Sequence, residues 1–282
     1  MPSSDAGVAV GRTGLRSEGI GGFLFSTDPS FAARAVRAGA AGVIVDWERR
    51  GKRERQAGAD TQVNADTPAD LARIRAATSG RVLCRVNGWG RGSEREIDQA
   101  VALGADEVLL PMVRRPSEVD AALAAIRGRC GLGILVETTE AVRRVDELVR
   151  RPVARLYVGL NDLMIDRGGR TLFAALVDGT VDRVRAAVPA RIPFGVAGLT
   201  LPDRGAPIPC RLLAAELARL DADFTFLRRS FTADVAGRDL AVELPRALGA
   251  VAAARRASLT QRAADRSLLE ALVGAQLVDQ AV

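Results

Sequence analysis

Short apolar runs alternate along this chain with longer amphipathic ones, and the alternation predicts its architecture. Apolar runs fall at 21–28 (GGFLFSTD), 42–48, 81–88, 106–113, 131–138, 155–162, 192–199 and 223–231. Between them apolar residues recur every three to four positions, as in PSFAARAVRAG, SEREIDQAVALG, PSEVDAALAAIRG and CRLLAAELARLD. That spacing lays one face of a helix against a core. Apolar runs of this length between helices read as buried parallel strands. Eight such units predict an α/β fold, a closed (β/α)8 TIM barrel. Gly-Ala pairs in RAGAAG and ALGADE mark tight helix-to-strand returns. The competing open doubly wound sheet fits less well. No G-x-G-x-x-G follows the first run, and eight near-equal units suit closure.

After about Ala233 the pattern turns helical, through ADVAGRDLAVELPRALGAVAAARRASL and then QRAADRSLLEALVGAQL. One part closes the barrel as its last helix and leaves an additional amphipathic helix, whose leucine-rich face predicts docking onto a neighbouring subunit. The expected organisation is a flexible N-terminal segment at 1–19, the barrel at 20–257 and a C-terminal helical extension at 258–282. A chain of 282 residues, 48% hydrophobic and 4% aromatic, suits one large core of Val, Leu, Ile and Ala. The opening MPSSDAGVAVGRTGLRSEG holds no apolar run of signal-peptide length, and no later segment approaches a membrane span. A cytoplasmic protein without a membrane partner is expected.

Charge and residue usage narrow the chemistry. The formal charge is +6, carried almost wholly by arginine, since Lys52 is the single lysine. The arginines lie beside Glu and Asp along helical runs, as in AVRRVDELVRR, with no aromatic-basic platform, so nucleic acid is not an expected partner. A basic field favours small anionic substrates instead. Histidine is absent, which excludes His-dependent triads, Cys-His pairs and His-based zinc sites. Acid-base work is left to carboxylates, Tyr157, arginine or metal-bound water. Cys84, Cys130 and Cys210 show no C-x-x-C spacing, sit in or beside apolar segments and read as buried structural thiols.

In a parallel barrel the carboxyl ends of the strands meet at one face, where active sites form. The residues at these ends, polar at most of them, are Asp46, Trp47 and Glu48; Arg85 and Asn87; Pro111 and Met112; Glu137 and Thr138; Asn161 and Asp162; the Gly195 to Gly198 stretch; and Arg228, Arg229 and Ser230. Glu137 and Asp162 close successive runs, so they converge as a pair of carboxylates suited to Mg²⁺ or Mn²⁺. They also suit helix N-caps or salt-bridge partners. Arg85 suits an oxyanion and equally an ion pair with Asp46 or Glu48. Asn87 serves a ligand or shapes a loop, and Trp47 stacks on substrate or packs the rim. Gly195 and Gly198 line the substrate pocket with backbone or permit tight packing.

The order of short motifs adds a resemblance. Asp46-Trp47-Glu48 (D-x-E), Arg85-Val86-Asn87 (R-V-N), Gly104 to Pro111 (G-A-D-x-V-L-L-P), Val136 to Val142 (V-E-T-x-x-A-V) and Gly159 to Leu163 (G-x-x-D-L) together resemble the HpcH/HpaI aldolase and citrate lyase beta-subunit family. The resemblance implies a phosphoenolpyruvate/pyruvate-type barrel, Mg²⁺ or Mn²⁺ as cofactor, and making or breaking of C–C bonds beside a carbonyl. It further implies Glu137 and Asp162 as metal ligands and Arg85 as the substrate-binding, enolate-stabilising arginine. Asp46, Asn87, Pro111, Gly195 and Gly198 join the expected substrate-binding set, and Glu48 joins Arg85 as catalytic. A homo-oligomer, trimer or hexamer, is implied as well.

Two positions depart from the family pattern. Arg49 stands where the aldolase branch commonly has a histidine, and Met112 where the citrate-lyase branch commonly has a lysine. The expected activity is a divalent-metal-dependent lyase of the aldolase type on a small 2-oxo or hydroxy acid. The alternatives are an acyl-CoA lyase of the malyl-CoA or citramalyl-CoA type and a non-catalytic barrel that binds metal or ligand.

Overall fold

Eight parallel strands pair in chain order in the computed structural model, which describes residues 19–50 and 66–279. They are β1 (Gly21–Phe25), β2 (Gly42–Asp46), β3 (Arg81–Arg85), β4 (Glu107–Leu110), β5 (Gly131–Val136), β6 (Arg155–Val158), β7 (Phe194–Leu199) and β8 (Phe224–Leu227). β1 pairs with both β2 and β8, so the sheet closes and leaves no free edge. This is the TIM barrel expected from the alternation. All strands but β7 stop short of the carboxyl end of their apolar run, and after β2, β3, β4 and β5 the residues that leave the sheet stay largely buried, as Trp47, Glu48, Val86, Asn87, Pro111, Glu137 and Thr138 do. Hydrophobicity therefore persists after the strand has ended.

Period two along each strand builds two cores. Outward positions such as Leu24, Val43, Val45, Val82, Cys84, Val108 and Ile134 pack under the helices. Inward positions fill the lumen with Phe23, Ile44, Leu83, Leu109, Leu135, Tyr157, Phe224 and Phe226. Four of the eleven aromatic residues thus lie in the lumen. The Tyr157 ring stacks on Phe226 at 3.9 Å, and Phe23 meets Phe224 edge-on at 5.8 Å.

The helical runs fold as helices, with two interruptions. The run at 139–151 becomes Thr139–Arg143 and Val145–Leu148, and the run at 172–188 becomes Ala174–Val177 and Thr180–Ala187. In the second, Gly179 adopts φ +85°, a left-handed conformation that ends one helix and starts the next. Leu240–Arg256 packs beside Pro29–Arg37 and Cys210–Arg219 and completes the outer ring. The last helix, Leu259–Asp279, lies on Cys210–Arg219 and Ala174–Val177. It buries Leu269 and Val273 against its own barrel, while Leu259, Leu268 and Leu277 face outward. Arg266 anchors it by donating to the Leu176 carbonyl (2.9 Å) and pairing with Glu216 (3.0 Å).

The segment expected to be flexible at 1–19 lies, except for Gly19, outside the described residues, as does Lys52. Cys84 and Cys210 are buried; Cys130, on the return into β5, is only half-buried. Among the described residues no helix is long and apolar enough to cross a membrane.

Candidate active site

The carboxyl end of the lumen opens into a cavity of about 330 Å³, floored by Leu135, Tyr157 and Phe226. Glu137 follows Leu135 by two residues, so the strand period turns it inward just beyond β5. It is 1% exposed. Its Oε1 accepts the Met112 N–H at 2.8 Å, presented by a residue at φ +54°. Gly159 makes room on the other side: a Cβ there would lie 2.3 Å from Glu137 Oε2. The glycine of the G-x-x-D-L motif is therefore a steric requirement of the carboxylate beside it.

Asp162 was expected at the end of the sixth strand. It sits instead in the first turn of the short helix Leu160–Asp166, because β6 ends at Val158 and the apolar run continues into the helix. The helix start still brings it to the cavity wall with Glu137. Asp166, one turn further on, ties this helix to the start of the helix Thr139–Arg143 and to the loop after β4: its Oδ2 accepts the Thr139 N–H (2.7 Å) and its Oδ1 accepts from Arg114 Nη2 (3.0 Å). Burial pushes the Glu137 carboxyl up to about 8, and the charges of Asp162 and Glu48 add to the rise against the opposing pull of Arg85.

Arg85 and Asp46 are register partners on β3 and β2 and both face inward. Arg85 Nε and Nη2 donate to Asp46 Oδ1 and Oδ2 at 2.8 and 2.6 Å, a bidentate pair, and Nη1 lies 3.5 Å from Glu48 Oε2. Burial works against the guanidinium charge, but Asp46 and then Glu48 hold it firmly protonated. Arg229 approaches Asp46 from β8 at 3.6 Å. Arg85 lines the cavity, whereas Asp46 and Glu48 stand behind it.

The remaining expected residues are placed differently. The Asn87 carboxamide accepts the Arg49 and Arg50 N–H groups (2.8 Å each) and donates to Glu96 (2.6 Å) and the Trp47 carbonyl (3.3 Å), so its side chain is engaged in shaping the loop after β2. Trp47 is buried in the layer under the helices. Pro111 and Gly195 do not line the cavity; Gly198 does. A Cβ on Gly195 would meet the Phe224 ring at 2.6 Å, and one on Gly198 would meet Arg228 Cγ at 2.9 Å. Between these glycines β7 carries one extra residue relative to β8, with Ala197 at φ +56°. The Tyr157 hydroxyl donates to the Ala197 carbonyl and braces this bulge.

Residues 20–171, more than half of the chain, match the profile of the HpcH/HpaI aldolase/citrate lyase family. The chain belongs to that family. The HpcH/HpaI family carries out aldolase and lyase chemistry on small carboxylic acids. Among solved structures, an HpcH/HpaI aldolase/citrate lyase family protein from Burkholderia cenocepacia J2315 is similar at 15% identity and TM-score 0.60, over 79% of this chain and 93% of that one. The HpcH/HpaI aldolase from Desulfitobacterium hafniense DCB-2 is similar at 14% identity and TM-score 0.58, over 78% and 92%. Tryptophan synthase from M. tuberculosis is also similar, at 18% identity and TM-score 0.54 over 85% and 94%, so likeness of this degree speaks for the barrel alone. Comparison with curated proteins finds no match.

Among the wall residues, Phe25 and Phe173 had no part in the expected site, while Gly159 entered only through its motif and Arg228 only as a strand-end residue with no role assigned. Phe25 and Arg228 carry a usable signal, since each lies two residues beyond an inward-facing aromatic, Phe23 and Phe226. Phe173 lies on a loop between helices, where no periodicity points inward.

Proposed function

We propose that this chain is a divalent-cation-dependent carbon–carbon lyase of the aldolase type, acting on a small 2-oxo or hydroxy acid with Glu137 and Asp162 holding Mg²⁺ or Mn²⁺. The observation that carries this reading is Glu137 itself. A carboxylate buried to 1% exposure and facing the charges of Asp162 and Glu48 is poorly accommodated without a cation. The donor set fits the ion, since hard carboxylate oxygens suit Mg²⁺ and Mn²⁺. Among the described residues no group of three or more acidic, Cys or His side chains is arranged to hold a metal, and the reading asks only Glu137 and Asp162 to do so. Two protein ligands leave positions for water and for substrate oxygens.

When bound, the cation supplies Lewis-acid polarisation of the 2-oxo group. Arg85 supplies fixed positive charge for the enolate oxygen that develops as the C–C bond breaks. It enters the reaction preorganised, because Asp46 grips it at two nitrogens and the Phe25 ring lies 5.2 Å from its Cζ. Glu48 acts through Arg85 and is in this arrangement a positioning residue. The apolar floor keeps water from the reacting carbon. Arg49 does not take the place of a histidine in the cavity: its Nη2 donates to the Asp66 carbonyl and it is not part of the wall. Burial, then the Glu137 charge, push the Tyr157 phenol well above its ordinary range, so it keeps its proton.

Exchange of the pyruvate methyl protons with solvent, followed by NMR, tests the reading. Exchange that requires Mg²⁺ or Mn²⁺ and is lost in both Glu137→Gln and Asp162→Asn is the expected result. A wild-type protein with no exchange at saturating metal, or variants that exchange as the wild type does, would overturn it.

A further inference from the structure

Three arginines stand on the cavity wall, and their surroundings differ. Arg85 is gripped by Asp46 with Glu48 nearby, and Arg229 faces Asp46. Arg228, at the end of β8, makes no side-chain hydrogen bond or ion pair among the described residues; its guanidinium lies over the Phe173 ring, 5.8 Å from the centroid. It is half-buried, and Phe173 beneath it is 2% exposed and lines the same cavity. The stem is held by shape. Its Cγ occupies the space that a Cβ on Gly198 would take, at 2.9 Å, and its backbone N–H donates to the Leu199 carbonyl at 2.7 Å.

A guanidinium is always charged and presents a planar fork of donors matched to a carboxylate or phosphate. One that is partly desolvated, stacked on an aromatic ring and unmatched by a carboxylate gains most from an anion delivered by a ligand. Its place adds direction. β8 lies three strands round the barrel from β5, so Arg228 approaches the cavity from a different side than Glu137. The cavity therefore leaves the β8 side, where Arg228 stands, for the far end of a substrate held at Glu137 and Asp162 by its 2-oxo acid end.

We propose that Arg228 is a specificity-determining residue that reads a second anionic group, a carboxylate or a phosphate, at the end of the substrate remote from the Glu137–Asp162 pair. This rests on the reading of the site given above. Phe173 supplies the platform, and Gly198 leaves the space that aims the side chain.

Equilibrium binding to the full chain with Mg²⁺ present separates this from the lyase reading, because it needs no turnover. Two matched pairs differ only in the remote group: oxaloacetate against 2-oxobutanoate, and 2-oxoglutarate against 2-oxopentanoate. A phosphonate analogue of 2-oxoglutarate, 4-phosphono-2-oxobutanoate, distinguishes phosphate from carboxylate. The wild type is expected to prefer the anionic member of at least one pair by roughly tenfold or more. Arg228→Gln brings that ratio to within about twofold, Arg228→Lys retains part of it, and Gly198→Ala lowers it by displacing the stem. Equal or no binding of both members of each pair by the wild type, or a ratio unchanged in Arg228→Gln, would overturn the proposal. Pyruvate proton exchange in the wild type reports separately on the lyase reading, so the failure of one is not mistaken for the failure of the other.

Discussion

The two ends of the barrel lumen both bury charge, and they bury it differently. At the amino end Glu107, opening β4, and Arg155, opening β6, form a two-contact ion pair, with Nη2 to Oε2 at 2.8 Å and Arg81 nearby at 3.7 Å. The Arg155 guanidinium is sandwiched by the Phe23 and Phe224 rings at 4.5 and 4.9 Å. Gly133 gives the pair its room, since a Cβ there would come within 2.6 Å of both Glu107 Oε1 and Leu109 Cδ2. At the carboxyl end Asp46 and Arg85 repeat that arrangement, but Glu48, Glu137 and Asp162 crowd in beside them and repel one another. A matched buried pair specifies structure; a buried carboxylate that faces others of its charge beside a cavity is where, on the reading proposed above, a cation would sit.

The largest expected difference between the ends is in stability. Glu107→Gln removes half of a matched pair and leaves Arg155 buried without its counter-charge, which costs on the order of 3–5 kcal/mol in urea unfolding. Glu137→Gln has the opposite sign. In metal-free protein at pH 8 it removes a poorly housed charge and raises stability by on the order of 1–3 kcal/mol. The pH dependence follows from the raised carboxyl. Its value near 8 in the folded chain exceeds the ordinary 4.5, so the folded state holds the proton more tightly. That stabilisation is fully present below 4.5 and is lost as pH rises through about 8. Metal-free wild type is therefore expected to lose stability between pH 5 and pH 8, and Glu137→Gln to lose less. Identical slopes in the two proteins would show that Glu137 is not the group responsible.

A smaller effect separates the two glycines that serve the two carboxylates. Gly133→Ala overpacks the matched pair and lowers stability by on the order of 1–3 kcal/mol. Gly159→Ala displaces Glu137, whose Oε2 would lie 2.3 Å from the new Cβ, and its main consequence is weaker Mn²⁺ binding. Chemical unfolding with and without Mn²⁺ measures both; a Gly159→Ala protein with unchanged Mn²⁺ affinity would mean that the carboxylate has room to spare.

Much of this molecule is readable from periodicity. The eight apolar runs locate the strands, and the step of two that turns Leu135 inward also places Glu137 at the mouth. Asp162 lines the cavity from a helix and not from the end of a strand, because an apolar run does not say where a strand stops and a buried helix begins. The amino-end pair went unread although the same parity was available: Glu107 and Arg155 each precede an inward residue, Leu109 and Tyr157, by two. A charge at the start of a strand looks like a rim residue until its partner across the lumen is known. Asn87 was ambiguous for a similar reason, since whether a polar side chain serves a ligand or a loop depends on backbone groups that sequence does not place. The Gly195 to Gly198 stretch divides: one glycine yields to an aromatic ring, the other to an arginine.

Titration of Mn²⁺ into the metal-free protein at pH 8 and pH 5, followed by the thermal midpoint, tests the surplus of carboxylates most directly. A saturable rise that is larger at pH 8, where a proton competes less strongly for Glu137 than at pH 5, and that disappears in both Glu137→Gln and Asp162→Asn is predicted. A midpoint indifferent to saturating Mn²⁺ at pH 8, or a rise that survives in both variants, would contradict it.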